Sequence, residues 1–443
     1  MVAITLALLG SLSATSEHDV QLDAGAPVPG SVGAVPGADH HSPAGPGAGR
    51  VRRAPVTPAV VSLQSALSRA LRTGGGASGA YVYDLAATQE LYAVHAAIRR
   101  PPASIEKLYT TAALMRVLGP DARLHTDLLG TGSLRRGTWH GNLYLRGGGD
   151  PTFGDAAFNR FWELGYGATP AQLVTELRQR GIHQVTGWVY PDESLFDRRR
   201  GGLMTAYAPD LPDLGGQLSA LTYDHGSVIK RLSPAVFAAR QVVATMRGSQ
   251  IQATAAPRAA ITPAGAHLLA TVSSPPMSVM ARLMDVPSDD LFAELFTKQL
   301  GVLFGGDGTI AAGAQVISHT IGASYDLHPK ILDGSGLSRD DRSSPLDVVG
   351  LLRDAWRTPV GNQLSAALPT VGEGGTVRSI GVKTAAQGHC IAKTGTLDGV
   401  SNLAGYCHSR GGHTLAFALE IDGPPNYVGL ELESRMVGAI ARY

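Results

Sequence analysis

Between residues 60 and 94, the spacing of apolar residues changes from that of a helix to that of β-strands. Apolar residues recur at helical spacing over residues 60–71, and Gly74-Gly75-Gly76 follows that run. Short β-like segments then occupy residues 81–84 and 91–94. The pattern therefore predicts one helix followed by two strands joined by a turn.

A second helical pattern starts directly after Pro101-Pro102-Ala103, because proline is excluded from a helix interior. Its apolar positions are Ile105, Leu108, Ala112 and Met115. Gly119-Pro120 is a stop signal for this helix. The segment predicts a helix that begins at about residue 104.

The rest of the chain alternates between β-rich and helical patterns. The predicted strands are residues 124–129, 141–145, 186–190, 391–393, 401–407 and 413–421, and the predicted helices are residues 170–180, 277–303 and 427–442. Helices that flank an antiparallel sheet built from both ends of the chain indicate a mixed α/β (α+β) domain. We assign residues 58–120 and 269–443 to this domain, 121–268 to an inserted β-rich domain, and 1–57 to a leader and tether.

Composition and charge indicate a folded protein without an obvious polyanionic partner. The 443 residues are 44% hydrophobic and 16% charged, which is enough apolar material for two or three domains. A net charge of +1 gives no electrostatic reason to bind nucleic acid. The 14 histidines are scattered without zinc-type spacing, so we predict neither a metal site nor a cofactor.

The N-terminus has an apolar run over residues 2–12 and a Gly/Pro-rich segment over residues 25–49. The apolar run is too short to span a bilayer but suits a signal-peptide core or the remnant of an anchor. The Gly/Pro-rich segment is typical of a flexible tether. We expect an exported protein of the cell envelope, periplasmic or extracellular, with the N-terminus as a candidate membrane anchor.

Cys390 and Cys407 are the two cysteines of the chain, and they lie symmetrically about the turn signal Asp398-Gly399. If a hairpin turns there, the two cysteines face each other across paired strands. Two thiols in one hairpin of an exported protein favour a disulfide, and the alternative is a pair of buried free thiols.

Ser104 and Lys107 are candidate catalytic residues. Residues three apart on a helix share a face, so the serine hydroxyl and the lysine amine can touch. Ser104 would be the nucleophile and Lys107 its proton acceptor, and the helix N-terminus would favour a developing oxyanion. Taken alone, the pair is more simply an ordinary helix N-cap.

Lys393-Thr394-Gly395-Thr396 follows an apolar strand pattern and precedes a turn. Gly395 on an edge strand would let a peptide lie alongside the backbone. Lys393 would bring positive charge to a substrate carboxylate, and Thr394 and Thr396 would offer hydroxyl groups. Such a short motif also occurs by chance.

Ser288-x-Asp290 lies between these motifs, in a segment typical of an N-capped helix start. The spacing is informative, since 184 residues separate Ser104 from Ser288 and 105 separate Ser288 from Lys393. With the three motifs in this order, the chain resembles the low-molecular-mass class C penicillin-binding proteins, the D-alanyl-D-alanine carboxypeptidase/endopeptidase family, over residues 58–443. The resemblance implies a transpeptidase domain of the penicillin-binding-protein/β-lactamase type, with an inserted domain.

The resemblance also implies a reaction. The penultimate D-Ala carbonyl of a peptidoglycan stem peptide would acylate Ser104, the terminal D-Ala would leave, and water would hydrolyse the ester; β-lactams would acylate the same serine. Ser288 would relay a proton toward the leaving amine, and the backbone amides of Ser104 and Thr396 would form the oxyanion hole. Weaker candidates for substrate contacts, taken from strings that look like those of the family, are Asp192, Phe196 and Arg339.

Asp290 departs from the family pattern, which has asparagine at this position. An amide can donate a hydrogen bond to a substrate carbonyl, whereas an ionised carboxylate only accepts, and the carboxylate would favour the ammonium form of Lys107. This residue motivates one alternative, a peptidoglycan-binding protein without turnover. A second alternative is a β-lactamase-like hydrolase, because such an enzyme uses the same catalytic residues.

Overall fold

The structure is a computed structural model that describes residues 52–229 and 231–443. The helices of this part are α1 (Pro58–Thr73), α2 (Lys107–Val117), α3 (Ala156–Trp162), α4 (Pro170–Gln179), α5 (Leu211–Leu214), α6 (Pro234–Gly248), α7 (Met277–Asp285), α8 (Asp290–Leu300), α9 (Ile310–Tyr325), α10 (Pro345–Ala355), α11 (Pro359–Ala367) and α12 (Asn426–Arg442). The strands are β1 (Gly79–Asp84), β2 (Gln89–Val94), β3 (His125–Arg135), β4 (Thr138–Gly147), β5 (Gln184–Asp192), β6 (Gln252–Ala255), β7 (His267–Ser273), β8 (Cys390–Leu397), β9 (Val400–His408) and β10 (Thr414–Asp422). The predicted N-terminal leader and tether lie almost entirely outside the described residues.

The first sheet is antiparallel and has the strand order β2-β1-β10-β9-β8. It is built from both ends of the chain, as the sequence predicts, and β8 is one of its edges. Its central strands are buried on both faces because helices cover both. Phe417 and Leu419 pack with the apolar residues of α1 and α12, whereas Ala416 and Ala418 pack on the side of α2 and α10. The predicted mixed α/β fold class is confirmed.

The second sheet has the order β6-β5-β4-β3-β7. Strands β3, β4 and β7 pair antiparallel, while β4–β5 and β5–β6 pair in parallel. Residues of α4 and α6, such as Leu173 and Val242, form a separate apolar cluster with this sheet. Its strands run from residue 125 to residue 273. The predicted inserted domain, residues 121–268, stays a prediction.

The helical pattern of residues 277–303 forms two helices in the structure, and the N-capped helix start predicted in the Ser288-x-Asp290 segment lies at the break between them. Helix α7 ends at Asp285 and α8 begins at Asp290. Pro287 has no amide hydrogen with which to continue the hydrogen bonding of α7, and Ser288 has a left-handed φ of 65°. Asp289 then caps α8 by accepting a hydrogen bond from the Phe292 amide.

A π-helical turn, Gly301–Gly305, follows α8 and leads toward α9. No single helix in the described part of the chain is long and apolar enough to cross a membrane, although α8 with this turn and α9 passes that length and composition test as a bent pair.

Candidate active site

Ser104 lies on a 3-10 turn, Ala103–Glu106, that leads directly into α2. The turn is held from below by Asn402 of β9, whose side-chain amide donates to the carbonyls of Pro101 and Pro102 at 3.0 and 2.9 Å. Ala103, just before the serine, has a φ of +49°, a strained conformation for a residue with a side chain. The surrounding contacts therefore fix the serine in a tight bend with its side chain partly exposed.

Lys107 is fully buried one turn after Ser104. Its Nζ donates to Ser104 Oγ at 3.1 Å, to Asp290 Oδ1 at 2.5 Å and to the Ser335 carbonyl at 2.8 Å. An ammonium group has three N–H donors, and these three acceptors use all of them. The geometry is that of a lysine in its charged form, ion-paired with Asp290.

The carbonyl of Ser335 reaches Lys107 because two buried carboxyl groups shape its loop. Asp333 accepts from the amides of Gly336 and Ser338 at 2.7 and 2.8 Å, and Glu294 accepts from the Ser335 amide at 3.0 Å. Burial, reinforced by the charge of Asp333, raises the pKa of Glu294 to about 8. The loop is thus part of the support of the lysine.

Ser288 projects from the break between α7 and α8 toward the second lysine. Lys393 Nζ donates to Ser288 Oγ at 2.7 Å and to the Thr394 carbonyl at 3.1 Å. Lys393 is fully buried, and burial together with the positive charge of Lys107 lowers its pKa to about 7. This lysine changes its charge near neutral pH.

Strand β8 lies directly against the turn that carries Ser104. A Cβ atom added at Gly395 would stand 2.5 Å from the Pro102 carbonyl oxygen and 3.0 Å from the Ile105 nitrogen, so only glycine fits this approach. Thr394 contacts Thr376 through their hydroxyl groups at 2.7 Å, and Thr396 is exposed. The oxyanion hole from the amides of Ser104 and Thr396 stays a prediction.

The structure brings Ser104, Lys107, Ser288, Asp290 and Lys393 into one connected group. Among the residues that the structure describes, no hydrogen bond or ion pair joins Asp192 or Phe196 to that group. Asp192 accepts hydrogen bonds from Thr262 and Ser194, and Phe196 is buried in the core. Arg339 is exposed and donates to the Asp398 carbonyl at 2.9 Å, beside the turn after β8. Their predicted substrate contacts stay predictions.

Cys390 and Cys407 stand directly opposite each other in the β8–β9 ladder, and the structure joins them in a disulfide. The bond ties the strand that carries Lys393 to its neighbour β9.

Four residues around the site were missed by sequence reasoning: Thr111, Asp285, Thr376 and Asn402. Three of them are ordinary polar residues whose contacts arise only from the tertiary fold. Asp285 had a detectable signal, because it follows the apolar face of α7, which includes Met277, Met280, Ala281 and Met284. A carboxylate at the end of such a face is costly unless it has a role.

Comparisons with known proteins agree with this arrangement. The model of the D-Ala-D-Ala carboxypeptidase 3 (S13) family matches residues 61–256 and 213–443. A D-alanyl-D-alanine carboxypeptidase of Actinomadura sp. (strain R39) is 27% identical, over 83% of this chain and 82% of the relative. Carboxypeptidase DacB of Mycolicibacterium smegmatis is 30% identical, over 87% of this chain and 85% of the relative.

The crystal structure of penicillin binding protein 4 (dacB) from Haemophilus influenzae is similar in fold, with a TM-score of 0.73 at 19% sequence identity. The match covers 85% of this chain and 99% of that one. Both five-stranded sheets fall within the part of the chain that the family model matches.

Proposed function

This chain belongs to the D-Ala-D-Ala carboxypeptidase 3 (S13) family, and from that premise we propose that Ser104 is the residue through which it acts. The chain is a serine-type D-Ala-D-Ala carboxypeptidase that acts on peptidoglycan peptides. The observation that carries the assignment is the double contact between serines and lysines. Ser104 Oγ lies 3.1 Å from Lys107 Nζ, and Ser288 Oγ lies 2.7 Å from Lys393 Nζ.

The proposed acylation moves two protons in opposite directions. Ser104 Oγ attacks the carbonyl carbon of the penultimate D-Ala, and its proton passes to Lys107 after that lysine has lost one proton to solvent. The C–N bond to the terminal D-Ala then breaks, and the leaving amine takes a proton from Ser288, which is replenished by Lys393. Lys107 then loses its proton to solvent, and Lys393 regains one from solvent. Water attacks the ester, Lys107 takes a proton from the water, and this proton passes to Ser104 Oγ as the ester bond breaks, which frees the serine.

The edge of β8 supports a peptide substrate. Strand β8 pairs along its length with β9, and its other edge is bridged to Thr370 at Ile391, near the start of the strand. The turn that carries Ser104 lies against β8 at Gly395. An extended stem peptide added along that edge would place its terminal carboxylate near the positive charge of Lys393. β-Lactams carry a comparable carboxylate and a strained amide, so the same groups would bind them and Ser104 would be acylated.

The proposed location is the cell envelope, on the exported side. A disulfide between Cys390 and Cys407 is stable in an oxidising compartment, and peptidoglycan lies outside the cytoplasm. The apolar run at residues 2–12 is the proposed export signal or membrane anchor.

The first prediction is that Ser104→Ala abolishes covalent labelling by a fluorescent penicillin and release of D-Ala from a stem peptide ending in D-Ala-D-Ala. Only the serine oxygen can form the ester, and the substitution leaves the fold intact. Labelled protein is detected on a denaturing gel, and D-Ala by a coupled assay. Ser249→Ala, at the end of α6, is the matched control and should label like the wild type.

The outcomes of this experiment separate the alternatives. A wild-type protein that is never labelled would favour peptidoglycan binding without turnover. Rapid hydrolysis of nitrocefin by the wild type would favour a β-lactamase-like hydrolase. Labelling that persists in Ser104→Ala would place the nucleophile elsewhere.

A further inference from the structure

Asp285 is a buried carboxylate that the proposed reaction does not use. It is the last residue of α7 and is 0% exposed. One oxygen, Oδ2, accepts a hydrogen bond from the Thr111 hydroxyl at 2.7 Å, and Oδ1 has no hydrogen-bond partner in residues 52–229 and 231–443. An ionised carboxylate in such a place is costly, so its surroundings have to compensate the charge.

Three links join Asp285 or the residues that follow it to the active site. Thr111 lies on α2, one turn after Lys107. Ser288 follows Asp285 by three residues and accepts the hydrogen bond from Lys393. The carbonyl of Val286, the next residue in the chain, accepts from the Thr376 amide at 3.2 Å, beside β8. These links place Asp285 in one cluster of groups with Thr111 and Ser288, and both of these residues belong to segments that contact the two lysines.

We propose that Asp285 is a positioning residue, whose carboxylate holds a proton on Lys393 and so sets the pH range in which Lys393 and Ser288 can protonate the leaving group. The proposal depends on the proposed function only in giving Lys393 a part in the reaction. The electrostatic link between Asp285 and Lys393 is a separate matter and can be measured by itself.

The charges that act on Lys393 come from three helices: Lys107 on α2, Asp285 on α7 and Asp290 at the start of α8. Burial and Lys107 lower the pKa of Lys393, whereas the two carboxylates raise it, with a result of about 7. Burial raises the pKa of Asp285 to about 7, against the opposing charge of Lys393. The two groups thus change charge in the same range, and each favours the ionised form of the other.

Removal of the negative charge at position 285 should change the pKa of Lys393 in one direction. Without it, the ammonium form of Lys393 loses a favourable interaction, so its pKa falls. Asp285→Asn keeps the shape of the side chain and an oxygen that accepts from Thr111. The change in Lys393 is therefore a response to charge and not to a cavity.

The test is a pH titration of the lysine side chains by NMR in protein labelled with ¹³C at the lysine ε-carbons. The chain has only six lysines, so the spectrum is simple, and Lys393→Arg identifies the signal of Lys393. In the wild type, Lys393 should titrate near pH 7. In Asp285→Asn its midpoint should fall by about one pH unit or more, as expected for the loss of one nearby opposite charge.

Glu433→Gln is the matched control. Glu433 is another fully buried carboxyl group, on α12, and burial alone raises its pKa, with no contribution from a charged neighbour. Its substitution should leave the Lys393 titration where it is. An unchanged midpoint in Asp285→Asn, or an equal fall in Glu433→Gln, would overturn the proposal.

Thr111→Val gives a second route if Asp285→Asn does not fold. Loss of the Thr111 hydrogen bond raises the pKa of Asp285, so less of its charge is present at neutral pH, and Lys393 should shift downward by a smaller amount. No shift in this variant would also count against the proposal.

The pH profile of penicillin acylation tests whether the interaction between Asp285 and Lys393 affects the reaction. The limb of the wild-type profile near pH 7 should move to lower pH in Asp285→Asn by the same amount as the NMR midpoint of Lys393. A limb that stays in place, or disappears, would show that Asp285 does not act through Lys393. Ser104→Ala protein, which cannot be acylated, still permits the NMR titration, so failure of the proposed function is distinguishable from failure of this link.

Discussion

At the scale of single residues, the two lysines of the site have different surroundings. Lys107 has three acceptors, one of them the carboxylate of Asp290 at 2.5 Å, whereas Lys393 has a hydroxyl and a carbonyl. The sequence predicted that Asp290 would stabilise the charged form of Lys107, and the ion pair has the geometry that this interaction needs. Before Lys107 can accept the proton of Ser104, it has to give up a proton held by this pair.

Asp290→Asn should speed penicillin acylation at pH 7 by about tenfold and move its pH profile to lower pH. The amide keeps the shape of the carboxylate but not its charge, and a reduction of about 1.4 kcal/mol in the stabilisation of the ammonium form corresponds to tenfold in rate. The measurement is the second-order rate constant of acylation against pH for both proteins. A variant that is slower at every pH would mean that Asp290 takes a useful part in the reaction.

At the scale of elements, the hydrophobic period alone predicted the helices and strands whose local pattern agrees with their packing in the fold. Helices α1, α4 and α12 and the strands of the C-terminal hairpin lie where the sequence predicts them. Helix α2 was predicted with its start at Ser104, but the serine lies on a 3-10 turn, because Asn402 and Gly395 hold the backbone there from another part of the chain. Helices α3, α5, α6, α9, α10 and α11 and strands β6 and β7 were not predicted.

The prediction at the scale of elements concerns the disulfide between β8 and β9. Replacement of both cysteines, Cys390→Ser with Cys407→Ser, should lower the free energy of unfolding by about 3 kcal/mol and slow acylation, because β8 is an edge strand whose one full ladder in the first sheet is with β9. Denaturant unfolding and penicillin labelling measure the two effects. Native, unreduced wild-type protein in which both thiols react with an alkylating agent would contradict the expectation.

At the scale of the whole molecule, a cluster of buried carboxyl groups lies under the active site. Glu106, Glu294, Asp333 and Asp341 are all buried, and burial is the largest cause that raises the pKa of each. The net charge of +1 gives no hint of this cluster, since only the tertiary fold brings Glu106 and Glu294 to the segment that holds Asp333 and Asp341. The sequence therefore predicted the catalytic motifs but not the charges beneath them.

Glu294, a member of this buried cluster, makes the free energy of unfolding fall as the pH rises. The pKa of Glu294 is about 8 in the folded state and near 4.5 in the unfolded chain, so the folded protein binds more protons between those values. Its contribution to stability is fully present below pH 4.5 and is lost as the pH rises through about 8.

Glu294→Gln should remove this contribution, because glutamine does not titrate, while its side-chain oxygen can still accept from the Ser335 amide. The melting temperature of the wild type should fall from about pH 5 to about pH 9, and that of the variant should fall less, so the variant gains on the wild type as the pH rises. Thermal unfolding across this range measures the difference. The control is Glu431→Gln, an exposed residue that is paired with Arg435, which should leave the slope unchanged. Parallel curves for the wild type and Glu294→Gln would mean that Glu294 is already ionised in the folded protein at pH 5, and that the positive charge of Lys107 outweighs the effects of burial and of Asp333.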